Sequence, residues 1–169
     1  MRTKGFTLIE ILVAVVIFSF GLLGVGGLMT ISVRNNHNGY LRSQANFLAE
    51  NMIDRMRANP VALWRGNYDG SAVPGGSVCT LANSCEFSAL ALYDTEQWAQ
   101  SLASTLPSGT GVIACDTLGA AAAAETTPDG GQWAAVKPFE GICTITVNWV
   151  ESNGGTAPAA QTLVLVAQP

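Results

Sequence analysis

Met1-Arg2-Thr3-Lys4-Gly5-Phe6-Thr7-Leu8-Ile9-Glu10 opens the chain, and an apolar run continues from it to Val33. Between Phe6 and Val33 the only ionisable side chain is Glu10. About 20 apolar residues cross the hydrocarbon core of a bilayer, and this run exceeds that length. Arg2 and Lys4 precede it, so the positive-inside rule leaves the N-terminus in the cytoplasm and the rest of the chain outside. A secretory signal peptide has a shorter apolar core closed by a small-residue cleavage site. Here the run is longer, and no Ala-x-Ala site closes it before Arg34-Asn35-Asn36.

Glu10 is the unusual residue. An ionised carboxylate at the centre of a membrane helix costs about 2.5–3.5 kcal/mol, and less near the helix end. Lying shallow, it would reach the interface. A positive group at the same depth would also offset the cost. Cleavage between Gly5 and Phe6 would create one, the α-amine of Phe6, within reach of carboxylates on neighbouring copies. The partial positive charge of a helix N-terminus favours Glu10 as well.

Lys4-Gly5-Phe6-Thr7-Leu8-Ile9-Glu10 resembles the class III signal of type IV pilins and related pseudopilins. The resemblance implies that a prepilin peptidase cuts after Gly5 and N-methylates Phe6, and that Glu10 docks the subunit into a filament. It makes the chain the substrate of an enzyme and not an enzyme. It implies an α+β fold: one long N-terminal helix, half transmembrane and half amphipathic, packed on a small antiparallel sheet.

The divisions that follow are a leader at 1–5, a transmembrane or filament-core half-helix at 6–33, an amphipathic half at 34–59, and a periplasmic globular domain at 60–169. From Leu41, apolar residues recur at Ala45, Leu48, Met52 and Met56, one face of a helix. Arg42, Gln44, Asn46, Glu50, Asp54, Arg55 and Arg57 lie opposite. Arg55 and Arg57 are read as solvated or as contacts to a neighbouring subunit. Asn59-Pro60 stops the helix, because a residue before proline is pushed from helical angles. Gly21, Gly24, Gly26 and Gly27 fall within the apolar half. They serve either close helix packing or local unwinding on assembly, which the resemblance implies.

Farther on, Gly66 to Gly76 reads as a turn-rich loop and Asp94 to Leu106 as a helix, with Asp94 or Thr95 capping its start. Its apolar side comprises Trp98, Leu102, Ala103 and Leu106, and Pro107-Ser108-Gly109 ends it. Thr110 to Cys115, Ile142 to Val150 and Gln161 to Ala167 read as strands. Ala120 to Ala124 is low in complexity, Pro128-Asp129-Gly130-Gly131 is a turn, and Ser152 to Pro158 a loop. Trp64, Trp98, Trp133 and Trp149 are read as core or edge residues.

The chain has 169 residues and a net charge of −4, which supports one compact domain beyond the N-terminal segment. After Val33 the basic residues are Arg34, Arg42, Arg55, Arg57, Arg65 and Lys137. This acidic remainder argues against a nucleic-acid surface. Cys79, Cys85, Cys115 and Cys143 form an even set that export would oxidise. Three pairings exist; Cys79–Cys85, closing a short loop, and Cys115–Cys143, joining distant segments, are favoured. No Cys-x-x-Cys pair supports zinc, no cofactor motif is present, and the single histidine, His37, gives no catalytic triad.

Tyr40 to Ala45, Met52 to Pro60, Trp98 with Leu106-Pro107-Ser108-Gly109, and Thr144 to Trp149 resemble the minor pilins called PilV, or type IV pilus modification proteins. That resemblance implies a low-abundance subunit that initiates or tips the pilus and supports twitching motility and adhesion. Its implied partners are other minor pilins, the major pilin, the prepilin peptidase and the pilus assembly platform. It would sit in the inner membrane first and in the surface pilus afterwards. A minor pseudopilin of a type II secretion system shares the leader and helix. A tip adhesin would use the loops from Gly66 to Cys85.

Overall fold

The computed structural model describes residues 5–80, 84–116, 139–152 and 158–169. Helix α1 spans Leu8–Ala58, α2 Pro60–Trp64 and α3 Phe87–Thr105. Strands β1 (Gly70–Ser71), β2 (Thr110–Asp116), β3 (Ile142–Glu151) and β4 (Ala159–Ala167) form one antiparallel sheet in the order β1-β2-β3-β4. The fold is α+β, a long N-terminal helix with a small antiparallel sheet. By contacts the chain divides into two compact units, Met1–Tyr40 and Leu41–Pro169.

The core of the second unit follows from two periodicities. On β3, Cys143, Ile145, Val147, Trp149 and Glu151 alternate inward, as the two-residue strand repeat requires. On α1, Leu41, Ala45, Leu48, Ala49, Met52, Ile53 and Met56 are buried at helical spacing. Apart from Glu151, both rows join one cluster with Trp98, Leu102 and Ile113, and Leu163, Leu165 and Ala167 of β4 pack against it. Fully burying a side chain of this size contributes about 1.5–3 kcal/mol. Trp64, Trp98 and Trp149 all lie in this core; Trp133 lies outside the described residues.

α1 ends at Ala58, and Pro60 opens α2 at a position where its missing N–H is no loss. Asn59 stands at the cap of α2, yet its amide does not cap. It donates to the carbonyl of Phe87, 2.7 Å away, and ties the start of α3 to the end of α1. Neither α2 nor β1 was expected from the turn-rich composition of this region.

α3 corrects the expected start at Asp94. It begins at Phe87, with Glu86 in extended backbone before it and no side-chain cap. Asp94 lies inside the helix because its carboxylate is held by Arg55 and Tyr68, which overrides its preference for caps. The Thr95 hydroxyl donates back to Leu92 within the helix. The apolar face needs a second correction: Ala103 is exposed and Ala99 is buried. Trp98, Leu102 and Leu106 form the inward i, i+4 row, and Ala103 is rotated about 100° from Leu102.

The turn after α3 places its positive φ at Ser108, 53°. Gly109 is needed for a different reason, since a Cβ there would lie 2.3 Å from the Leu102 carbonyl oxygen. Each expected strand differs from the observed one at a single end, by one residue for β2 and β3 and by two for β4, where caps and fraying decide. Ala120 to Ala124 and the turn at Pro128 lie outside the described residues, as does most of the expected loop after Ser152.

Candidate functional site: the N-terminal segment and the paired side chains

Gly5, Phe6 and Thr7 are non-helical, and the first α1 bonds run from the N–H groups of Glu10 and Ile11 to the Thr7 carbonyl. Glu10 therefore sits in the first turn, where the helix end carries partial positive charge. It makes no side-chain hydrogen bond or ion pair among the described residues. A shallow groove of about 590 Å³ runs along this face, lined by Phe6, Glu10, Ile11, Ala14, Val15 and Phe18. The structure thus brings Phe6 and Glu10 onto one wall.

The large apolar side chains from Phe6 to Val33 are exposed. An 18-residue window of α1 has a mean hydropathy of 2.7, long and apolar enough to cross a membrane. Two of its hydroxyls are satisfied within the helix. Ser19 donates to the Val15 carbonyl at 2.7 Å and Thr30 to Gly26 at 3.1 Å, the i−4 arrangement that satisfies a hydroxyl where water is absent. Added Cβ atoms at Gly21, Gly24, Gly26 and Gly27 would meet nothing within 4 Å, so packing inside this chain does not require those glycines.

In the second unit the arginines are engaged internally. Arg55 lies 3.2 Å from Asp94, whose other oxygen accepts from the buried Tyr68 hydroxyl at 3.0 Å. Burial first, and the Asp94 charge second, push the Tyr68 hydroxyl far above its usual range. Arg57 pairs with Asp54 at 3.1 Å. Arg42 reaches buried Glu151 at 3.3 Å, which also accepts from the Trp149 indole at 3.2 Å. Arg65 stacks 4.3 Å above the Phe87 ring. Arg55 is drawn into a part-buried pair, whereas Arg57 and its partner Asp54 both stay exposed to solvent. The long-range pairs carry no local sequence signal, because Arg42 and Glu151 are joined only by the packing of α1 on β3.

All four cysteines are consumed in disulfides, Cys79–Cys85 and Cys115–Cys143. Cys115 and Cys143 are register partners on β2 and β3. Among the described residues no cluster of three His, Cys, Asp or Glu could hold a metal ion.

Residues 1–26 match the family described as the prokaryotic N-terminal methylation motif. The matched residues include Gly5, Phe6, Glu10 and the start of the exposed apolar helix. The motif supports a type IV pilin-like or pseudopilin protein, a kind of structural subunit and not an enzyme. It implies processing by a prepilin peptidase, anchoring in a membrane and assembly with other pilins. No curated protein and no solved structure matches the chain.

Proposed function

We propose that this chain is a minor pilin of the type IV pilus, a structural subunit that primes assembly from the filament tip. In this reading residues 1–5 are a leader, removed between Gly5 and Phe6, and Phe6 is N-methylated. Residues 6–33 hold the subunit in the inner membrane with the N-terminus cytoplasmic. Residues 34–59 carry the globular part, 60–169, in the periplasm. On assembly Glu10 meets the α-amine of Phe6 on a neighbouring subunit. Other minor pilins, the major pilin and the assembly platform are the partners, and twitching motility and adhesion are the processes served.

The observation that carries this reading is the methylation motif lying on an exposed apolar helix with one carboxylate in its first turn. That carboxylate makes no side-chain hydrogen bond or ion pair among the described residues, whereas an α-amine at the same depth would offset its cost in lipid. The resemblance of Tyr40 to Pro60 to the PilV minor pilins directs the choice of machine.

A clean deletion scored for surface pili, twitching and secreted enzymes is the test. Loss of pili with secretion intact supports the proposal. Loss of secretion with pili intact would assign the chain to a type II secretion pseudopilus instead. Intact mass of the mature protein checks the processing step, and an uncut, unmethylated N-terminus would remove the assembly reading.

A further inference from the structure

The far edge of the sheet is β4, Ala159-Ala160-Gln161-Thr162-Leu163-Val164-Leu165-Val166-Ala167. Edge strands are normally protected by lysine, proline, a bulge or a covering element. β4 contains no charge and no proline. Its register with β3 runs through nine consecutive pairs without a bulge. Val164 and Val166 stand on the outer face, 55% and 59% exposed. Every second N–H and C=O along such a strand points away from its partner, and among the described residues no strand pairs with that side.

The inner side of this edge is charged. Leu165 and Ile53 form a cleft of about 350 Å³ with Glu50, Asp54 and Arg57 of α1. Leu165 continues the register row Ile113–Ile145–Leu165. The next place in that row lies about 4.8 Å farther out, beside the α1 carboxylates. Arg57 pairs with Asp54, and among the described residues Glu50 has no ion-pair partner and stands in a like-charge i, i+4 relation to Asp54.

The geometry points to β4 as the docking edge for an extended segment of a different protein chain. That segment carries a lysine or arginine inward beside Leu165, flanked by β-branched residues that continue the outer row of Val164 and Val166. The aliphatic stem of the basic residue packs on Leu165 and Ile53 while its head meets Glu50. Main-chain bonds supply affinity, and the inward cation fixes the register. A second copy of this chain does not fit, because no described strand contains lysine or arginine. This inference rests on the sheet and α1, and stands whether or not the pilus reading does.

The test uses the full chain in detergent micelles and a blocked fluorescent peptide containing Thr-Val-Lys-Val-Thr. A second peptide carries glutamate for lysine, and a third carries N-methyl groups on alternate amides. Expected are saturable binding of the lysine peptide, about fivefold weaker binding of the glutamate peptide and loss of the N-methylated one. Glu50→Lys should weaken the lysine peptide and strengthen the glutamate peptide. Hydrogen exchange should show new protection at alternate β4 amides. Equal binding of both charged peptides, or no binding, would overturn the inference. So would protection of those amides before peptide is added, which would mean that this chain covers its own edge. A peptide-free dimer dispersed by Val164→Lys would likewise overturn it in favour of self-pairing.

Discussion

The Arg55 guanidinium on α1 lies 3.2 Å from the Asp94 carboxylate on α3, and the Tyr68 hydroxyl completes the group from the loop between α2 and β1. Three segments far apart in sequence meet at one carboxylate. Asp94→Ala leaves Arg55 and Tyr68 without it. Breaking a fully buried pair costs about 3–5 kcal/mol. Arg55 is a third exposed, so solvent screening lowers the expected loss to about 2 kcal/mol. Urea unfolding of wild type and variant checks the value. A double-mutant cycle with Arg55→Leu should show a coupling above 0.5 kcal/mol, the range seen for residues in contact.

Tyr68 gives the same group an alkaline signature. Its hydroxyl is held protonated above the ordinary tyrosine value of 10.0, chiefly by burial and then by Asp94. Above about pH 10 the unfolded chain releases this proton while the folded chain keeps it. The unfolded state then binds fewer protons, so stability falls as pH rises, by about 1.4 kcal/mol per unit while the difference lasts. Below pH 10 the contribution is intact. Tyr68→Phe should cost about 1 kcal/mol at neutral pH through the lost hydrogen bond. It should also flatten the decline between pH 10 and 11, measured as the urea midpoint across that range.

The split between what the sequence discloses and what it withholds has a physical source. Leu41, Ala45, Leu48, Met52 and Met56, and the alternation on β3, are readable because burial imposes a period on residue type. The α-helical start of α3 is not, because Asp94 has the local chemistry of a cap and is placed mid-helix by partners 39 and 26 residues away. α2 is a single turn made by Pro60 and the burial of Val61 to Trp64, too short for a pattern. The pair of Phe6 and Glu10 is readable for the opposite reason. Its four-residue spacing is local, with Glu10 fixed by the first turn of α1 and Phe6 two residues before the helix begins at Leu8.

Gly111 on β2 tests how tightly α3 seats on the sheet. A Cβ there would fall 2.4 Å from the Trp98 ring and 2.7 Å from Leu102. Trp98 cannot yield freely, because its indole N–H donates to the Leu48 carbonyl on α1 at 2.9 Å. Gly111→Ala should therefore destabilise by about 1–3 kcal/mol. Gly76→Ala meets nothing within 4 Å and should change stability by under about 0.5 kcal/mol. Thermal denaturation of the two variants side by side separates a steric cause from a general effect of replacing glycine.

The two disulfides close loops of unequal length, with separations of 28 residues for Cys115–Cys143 and 6 for Cys79–Cys85. On chain-entropy grounds the longer closure stabilises by about 3–4 kcal/mol and the shorter by about 2 kcal/mol. Paired alanine variants should lower the denaturant midpoint in that order. Cys143 is fully buried within the core cluster, so mild reductant should open Cys79–Cys85 first. Mass-tagging of released thiols over time reads that order directly.

On the proposed function, Glu10 should separate folding from assembly. It is exposed in the first turn of α1 and makes no side-chain bond within the described chain, and the core of the second unit begins at Leu41. Glu10→Leu should leave the unfolding midpoint of that unit unchanged. It should also leave membrane insertion intact or improved, since a charge in lipid costs up to about 3 kcal/mol. Cleavage after Gly5 should continue, because the junction residues are untouched. Incorporation into filaments should fall by at least tenfold, because the variant cannot meet the α-amine of a neighbour at that depth. Quantifying the subunit in sheared filaments against the membrane fraction measures this. Equal incorporation of Glu10→Leu and wild type would show that the carboxylate has no part in docking and would detach the assembly role from this residue.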